Sequence, residues 1–271
     1  DILETSIWIK VTIALLIGCA VSPKIKFYVK FFLALLISSS VLVIPIPIFL
    51  FRPRDARNSV IPGAVGCFLV EFLGLSYEVR GLENIPKDHG NVLILNHQTG
   101  LDILALAKLN TKYKSLAPVV KKELMYAQPF GLASWLVGVV FIDRKNAQSA
   151  REVMSNEAYA IKEKKLKLAI FPEGTRNQGD TMLPFKKGSF HLAIECQAPI
   201  QPIVISRYHF LNASRKMFGR GKVIIKILPE IETTNLDKSS VNSLVENVQN
   251  QMQLEYNKLS AETISQCNPV Y

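Results

Sequence analysis

The stretch "NVLILNHQTGLDILALAKL", residues 91–109, decides the reading of the fold. After Asn91 it runs Val-Leu-Ile-Leu, without the alternation expected of a strand that faces water on one side. An unbroken apolar run of this length reads as a strand buried on both faces, as in a parallel sheet covered by helices. A polar turn follows, and from about Leu101 to Leu109 the apolar residues recur at helical spacing. Strand, turn and helix make the first half of a βαβ unit. In open α/β sheets the turn at the carboxyl end of such a strand is where sites lie. This turn carries His97 and, five residues later, Asp102. That spacing lets the carboxylate reach one imidazole nitrogen and fix its tautomer, leaving the other nitrogen to take a proton. The same residues also read as a helix capped by Asn96, with His97 a bystander.

The rest of the chain extends the pattern. Strands are expected near Tyr77–Arg80, after Ser115, at the end of 124–142 ("VVFI"), and at 166–171, 199–206 and 221–231. Helices are expected at 147–165 and 188–196, and a surface helix over 235–265. The alternation predicts an α/β fold: a mixed, mostly parallel sheet flanked by helices. In front of it lie two apolar segments, residues 7–21 and 27–51, read as membrane helices joined by the basic turn Lys24–Lys30. The second is long enough for a bilayer core of about 30 Å, and Pro45 and Pro47 should kink or end it. The domains are accordingly 1–57, an N-terminal membrane hairpin, and 58–271, the α/β domain. Both the turn and the trio Arg52, Arg54 and Arg57 are basic, which two full spans cannot place on one side. A hairpin seated in one leaflet removes the conflict. Residues 59–76 read as an interfacial helix. Residues 124–142 are uncharged, but Pro129, Gly131 and Gly138 favour a broken helix on the membrane face over a third span.

Composition narrows the function. The 271 residues are 49% hydrophobic and 20% charged, with a formal net charge of +10. A basic, apolar chain favours anionic lipid or phosphorylated metabolites. No zinc-finger spacing or RNA-binding aromatic motif points to nucleic acid. Four scattered cysteines read as reduced thiols rather than a disulfide framework. The four histidines lack metal-ligand spacing, so no metal and no cofactor are expected. His191 falls on an apolar helix face and is expected to pack in the core; His89 and His209 are expected in loops. A second stretch, "FPEGTR" (171–176), follows the strand at 166–171. A Gly-Thr turn between Glu173 and Arg176 can offer backbone N–H groups and a guanidinium to a phosphate, or can be an ordinary turn with a surface ion pair.

Taken together, these motifs resemble the glycerolipid acyltransferase family and, within it, the eukaryotic lysophosphatidic acid acyltransferases. The family's His-x4-Asp is met by His97 and Asp102. Its Lys-x2-Leu-x6-Gly-x12-Arg is met by Lys121, Leu124, Gly131 and Arg144. "FPEGTR" meets the third motif, and Pro202 in an apolar strand meets the fourth. The resemblance is dense over residues 90–206. It implies transfer of an acyl group from acyl-CoA, the cosubstrate, to the sn-2 hydroxyl of lysophosphatidic acid, giving phosphatidic acid. On that reading His97 is the general base and Asp102 its orienter. Lys121, Arg144 and Arg176 bind the phosphate, with Gly174 and Thr175 in the binding turn. Glu173 holds Arg176 or bonds the glycerol. Backbone donors near His97 or the Glu173–Gly174 turn stabilise the oxyanion. No Gly-x-Ser-x-Gly elbow is present, so direct transfer is expected rather than an acyl-enzyme. A phospholipid membrane, that of the endoplasmic reticulum, is the implied setting. The rivals are acylation of glycerol-3-phosphate or another lysophospholipid, a hydrolase, and a non-catalytic lipid-binding membrane protein.

Overall fold

In a computed structural model, residues 22–265 are described and, ahead of them, Ile7, residues 9–12, Ala14 and Gly18. The first half of the expected N-terminal hairpin therefore lies mostly outside the described residues, as do Cys19 and Cys267. Seven strands form one sheet: β1 (Leu75–Arg80), β2 (Asn91–Leu95), β3 (Leu116–Lys121), β4 (Val140–Ile142), β5 (Lys167–Ile170), β6 (Ile200–Ile205) and β9 (Gly221–Ile227). Their spatial order is β1-β9-β6-β2-β5-β3-β4. The five strands from β6 to β4 are parallel. β9 joins antiparallel to β6, and β1 pairs parallel to β9. The sheet is thus mixed and mostly parallel, as the sequence predicts. A two-stranded hairpin, β7 (Leu211–Asn212) with β8 (Met217–Phe218), was not foreseen.

The run that opened the sequence reading lies at the centre of this sheet. All five residues of β2 are buried. Val92 and Ile94 point into one core, and Leu93 and Leu95 into another. Side chains alternate across a strand, so a strand covered on both faces must be apolar throughout. The first core is closed by α6 (Ala147–Glu163), α7 (Gly188–Cys196) and α8 (Val241–Ser265). Along α8 the buried residues Val241, Leu244, Val248, Met252, Tyr256, Leu259 and Thr263 recur every three or four positions, the stripe of an amphipathic helix. The second core is closed by α1 (Pro23–Val43), α3 (Val60–Glu71) and α4 (Asp102–Tyr113). Cys67 and Cys196 are buried free thiols.

Helix α1 stops at Val43, just before the two prolines, and a separate short helix α2 (Ile46–Phe49) follows. Proline lacks the donor that an interior helical position needs. By length and composition α1 could cross a membrane. It nevertheless lies along the domain. Phe27 meets Phe218, Lys30 donates to the Gly219 carbonyl, Ala34 is fully buried, and a side chain at Gly66 of α3 would meet Val41. Residues 124–142 are broken up as expected, with α5 (Phe130–Leu136) in their middle. Leu136, Val137 and Val139 are buried with Phe49, and Trp135 packs against the same cluster. The part from Ala133 to Val140 is therefore tucked beneath α1 and α2, while residues 126–129 and Leu132 stay exposed. His191 also departs from expectation. It is exposed with Gly188 and Glu195, because α7 turns its Phe190, Leu192, Ala193, Ile194 and Cys196 inward.

Gly131, the motif glycine, allows a close approach. A Cβ there would lie 2.0 Å from the Met125 carbonyl oxygen and 2.6 Å from its carbon. Rigid backbone cannot yield as a flexible side chain can. Gly131→Ala should therefore lower stability by about 2 kcal/mol or more. Thermal unfolding in detergent would measure it, and an unchanged midpoint would contradict the packing argument.

Candidate active site

The carboxyl ends of the parallel strands bring the motifs onto one edge of the sheet. β2 delivers His97, and its neighbour β5 delivers the turn Phe171–Arg176. Next to β5, β3 ends on Lys121, and outside it β4 leads into Arg144. On the other side of β2, β6 leads into Arg207 and Tyr208. Segments more than 70 residues apart are thereby set about 5 Å apart, strand by strand.

His97 Nδ1 and Asp102 Oδ2 are 2.7 Å apart. Asp102 is the first residue of α4 and is 1% exposed. The same Oδ2 accepts the backbone N–H groups of Gln98 (2.7 Å) and Thr99 (3.0 Å). A carboxylate at a helix N-terminus also gains from the helix dipole. Asp102 thus shapes the whole turn as well as the imidazole. Asn96 does not cap the helix: its amide clamps Ile205, donating to the carbonyl and accepting from the N–H. The capping alternative is excluded, since Asn96 ties β2 to β6.

Glu173 holds His97 from the opposite side. Its Oε1 accepts the His97 N–H at 2.7 Å, and its Oε2 accepts the Leu183 N–H at 2.9 Å. The Asn177 N–H donates to the His97 carbonyl, and the Phe171 ring stacks on the imidazole at 4.3 Å. Glu173 is 4% exposed. Burial raises its pKa, with the two backbone donors opposing that rise. Gly174, at φ +71°, turns the chain so that Glu173 points inward while Thr175 and Arg176 remain exposed. The expectation that Glu173 holds Arg176 gives way to a different role: its carboxylate secures the backbone of the histidine turn.

The exposed cations gather around this core. Arg144 donates to the Gly174 carbonyl at 2.7 Å, which joins the second and third motifs. A side chain at Gly100 would lie 3.7 Å from an Arg176 guanidinium nitrogen, so Arg176 reaches the histidine turn. It would also lie 3.5 Å from the Phe31 ring, so α1 reaches the turn as well. Lys121 is exposed at its strand end. Lys186 was missed by the sequence reading: its amine lies against Gly174, 2.6 Å from where a Cβ would be. The signal in the sequence is the pair Lys186–Lys187, ten residues beyond Arg176. The amides of His97, Gln98, Thr99 and Gly174 all donate to protein acceptors. These four donors are therefore engaged within the protein. Pro202 sits mid-strand in β6 opposite Ile94, a place in the core rather than the site. Among the described residues no group of three His, Cys, Asp or Glu could hold a metal ion.

Comparison with known proteins gives this arrangement a family. A sequence profile of the family Acyltransferase matches residues 76–206. The human 1-acyl-sn-glycerol-3-phosphate acyltransferase alpha is 35% identical over 245 residues, covering 90% of this chain and 85% of that protein. The Saccharomyces cerevisiae 1-acyl-sn-glycerol-3-phosphate acyltransferase is 38% identical over 183 residues, covering 66% of this chain and 59% of that protein. The crystal structure of the 1-acyl-sn-glycerophosphate (LPA) acyltransferase PlsC from Thermotoga maritima superposes with a TM-score of 0.66 at 24% identity, over 89% of this chain and 98% of that one. The likeness to that structure is one of fold.

The clamp on His97 is open to direct test. Glu173→Ala should speed amide hydrogen exchange at His97 and Leu183 by about 10- to 100-fold, the loss of an acceptor worth about 1.5–3 kcal/mol. Exchange followed by mass spectrometry would read it, and unaltered protection would show the turn to be held by other contacts.

Proposed function

This chain belongs to the 1-acyl-sn-glycerol-3-phosphate acyltransferase family, and from that membership we propose that it transfers the acyl group of acyl-CoA to the sn-2 hydroxyl of lysophosphatidic acid. The product is phosphatidic acid, a precursor of phospholipids and triacylglycerol. The observation that carries the reading is the His97–Asp102 pair at the sheet edge, with the exposed cations of the second and third motifs beside it. An alcohol is a poor nucleophile near neutral pH, and a positioned base helps by about 100- to 10,000-fold. Asp102 engages Nδ1, so Nε2 is the nitrogen that takes the proton. The hydroxyl oxygen then attacks the thioester carbonyl directly, and CoA leaves as its thiol after the imidazolium returns the proton. Asp102 stabilises that imidazolium. Lys121, Arg144 and Arg176 are assigned to the acceptor's phosphate monoester, which carries nearly two charges at neutral pH. Gly174 and Thr175 supply the turn that presents Arg176. Glu173 contributes by fixing the His97 backbone.

The lipid substrates give the N-terminal surface a purpose. Tyr28, Phe32, Leu35 and Leu36 on α1, Ile48 on α2 with Leu50 and Phe51 just after it, and Ile61, Val65, Phe68 and Phe72 along α3 are exposed apolar residues. An exposed apolar surface of this extent marks an interaction site. We assign it to the bilayer, with Lys24, Lys26, Arg52 and Arg57 suited to anionic head groups. Because α1 lies along the domain, seating in one leaflet fits better than a full crossing. Residence in the endoplasmic reticulum is part of the same proposal.

The decisive assay is acyl transfer from oleoyl-CoA in phospholipid vesicles, with phosphatidic acid and free CoA both quantified. His97→Ala should lose about 1,000-fold or more in kcat, and Asp102→Asn about 100-fold or more. Arg176→Ala should chiefly raise KM for lysophosphatidic acid, by about 10- to 100-fold. Equal turnover of glycerol-3-phosphate would overturn the acceptor assignment. CoA release without phosphatidic acid would mark a hydrolase, and full activity in His97→Ala would remove the base.

A further inference from the structure

Two buried polar atoms beside the candidate site lack partners, and they complement each other. Asp102 Oδ2 collects three donors, but Asp102 Oδ1, with no exposed surface, has none. The Tyr208 hydroxyl is likewise buried and without a hydrogen-bond partner. One is an acceptor lacking a donor; the other is a donor lacking an acceptor. Leaving either unmade costs about 1–3 kcal/mol, which makes a pair of such groups in one place worth explaining.

They are neighbours. The groups that bear on the Tyr208 hydroxyl are the Tyr77 hydroxyl and the Asp102 carboxylate, and together with burial they raise its pKa well above the usual tyrosine value. Tyr77 donates to the Leu101 carbonyl at 3.4 Å, one residue before Asp102. Tyr208 follows β6 in the same edge of the sheet and is 2% exposed, packed against Phe210. It also lines a cavity of about 200 Å³ with Gln98, the residue whose amide Asp102 Oδ2 accepts. That cavity has room for water, which is the other way to join two groups that do not bond directly.

We propose that Tyr208 is a positioning residue of the acyl transfer: its hydroxyl donates to Asp102 Oδ1, directly or through one water in the adjoining cavity. The inference rests on the assignment of His97 and Asp102 as base and orienter. With this bond both carboxylate oxygens are held, one by the histidine turn and the other by the strand-end loop of β6. The carboxylate plane, and with it the aim of the imidazole, is then fixed from two sides. Donation to Oδ1 also draws negative charge away from Oδ2. That weakens the carboxylate's support of the imidazolium, so loss of the bond should strengthen that support. The ionisable groups around the pair come from several elements. Tyr77, Tyr208 and Tyr256 bear on Asp102, Glu173 lies against the His97 backbone, Arg176 reaches the same turn, and Arg144 and Lys186 meet Gly174 beside Glu173.

The test is the pH dependence of kcat/KM for phosphatidic acid formation from oleoyl-CoA and lysophosphatidic acid in vesicles. Tyr208→Phe should move the acid limb upward by about half to one pH unit and lower kcat by about tenfold, with KM for lysophosphatidic acid unchanged. Tyr77→Phe removes a neighbour of the Tyr208 hydroxyl and a bond to Leu101 but no donor to Asp102, so it should move the limb less than half as far as Tyr208→Phe. Replacing Tyr208 by 3,5-difluorotyrosine keeps its shape and makes the hydroxyl a stronger donor. The limb should then move downward, a result that does not depend on how well Tyr208→Phe folds. Limbs that coincide with the wild type in both Tyr208 variants would overturn the inference. So would a loss confined to KM, or a limb shift in Tyr77→Phe equal to that of Tyr208→Phe. His97→Ala in the same series separates the two readings. Full activity there would overturn the base assignment itself, whereas an inactive His97→Ala beside unmoved Tyr208 limbs would overturn only the role of Tyr208.

Discussion

One carboxylate oxygen, Asp102 Oδ2, organises the candidate site. It meets the His97 imidazole and the backbone N–H groups of Gln98 and Thr99 within 3.0 Å, at the first turn of α4. A buried carboxylate is costly unless donors surround it. Here the donors are the turn itself, so the carboxylate and the loop stabilise each other. The turn cannot take another shape without leaving the charge uncompensated. The five-residue spacing between His97 and Asp102 is what this closure requires: enough chain to fold back, with the acid already inside the helix.

A second buried carboxylate completes the frame from the neighbouring strand. Glu173 accepts the His97 N–H, Asn177 donates to the His97 carbonyl, and Phe171 covers the ring. The first and third motifs are thereby one structural unit. The second motif is bound to it through Arg144 and the Gly174 carbonyl. This division places the negative groups inside, fixing geometry, and the positive groups outside, facing solvent. An anionic acceptor approaching the edge meets exposed cations, while the two acids behind them are turned inward. On the proposed function, this arrangement would let one site hold a base, two acids and a phosphate-binding surface without the acids repelling the ligand.

The fold was legible because its strongest signal is simple. A strand covered on both faces needs apolar residues at every position, and β2 shows them. The helix stripes of α4 and α8 follow from the same physics. The histidine–aspartate pair was legible from spacing, and the cationic motif residues from family likeness. What escaped was set by tertiary partners. The role of Glu173 depends on β5 lying next to β2, a contact between residues 76 apart that no local pattern encodes. The antiparallel entry of β9 depends on the long connection through the β7–β8 hairpin, and a strand's direction leaves no mark on its composition. His191 was misplaced because α7 is short and apolar nearly all round, so its narrow exposed stripe is hard to read. The burial of Leu136, Val137 and Val139 under α1 and α2 was hidden because packing beneath a helix asks for the same residues as contact with lipid.

The position of α1 joins the site to the apolar surface. Phe31 on this helix approaches Gly100, which in turn lies beside the Arg176 guanidinium. On the same stretch of the helix, Phe27 and Lys30 engage Phe218 and Gly219 at the β7–β8 hairpin. The helix with the long exposed apolar face is therefore also the helix that touches the histidine turn. Were α1 a detached anchor, the distance from bilayer to base would be set by a linker. Packed as it is, that distance is set by the core, since Ala34 and Phe27 are as firmly buried as residues of the sheet. For an acceptor with its chain in the membrane and its hydroxyl at the head group, a fixed depth supplies much of the orientation that attack on a thioester needs. The apolar N-terminal surface and the histidine turn are on this view two ends of one rigid device.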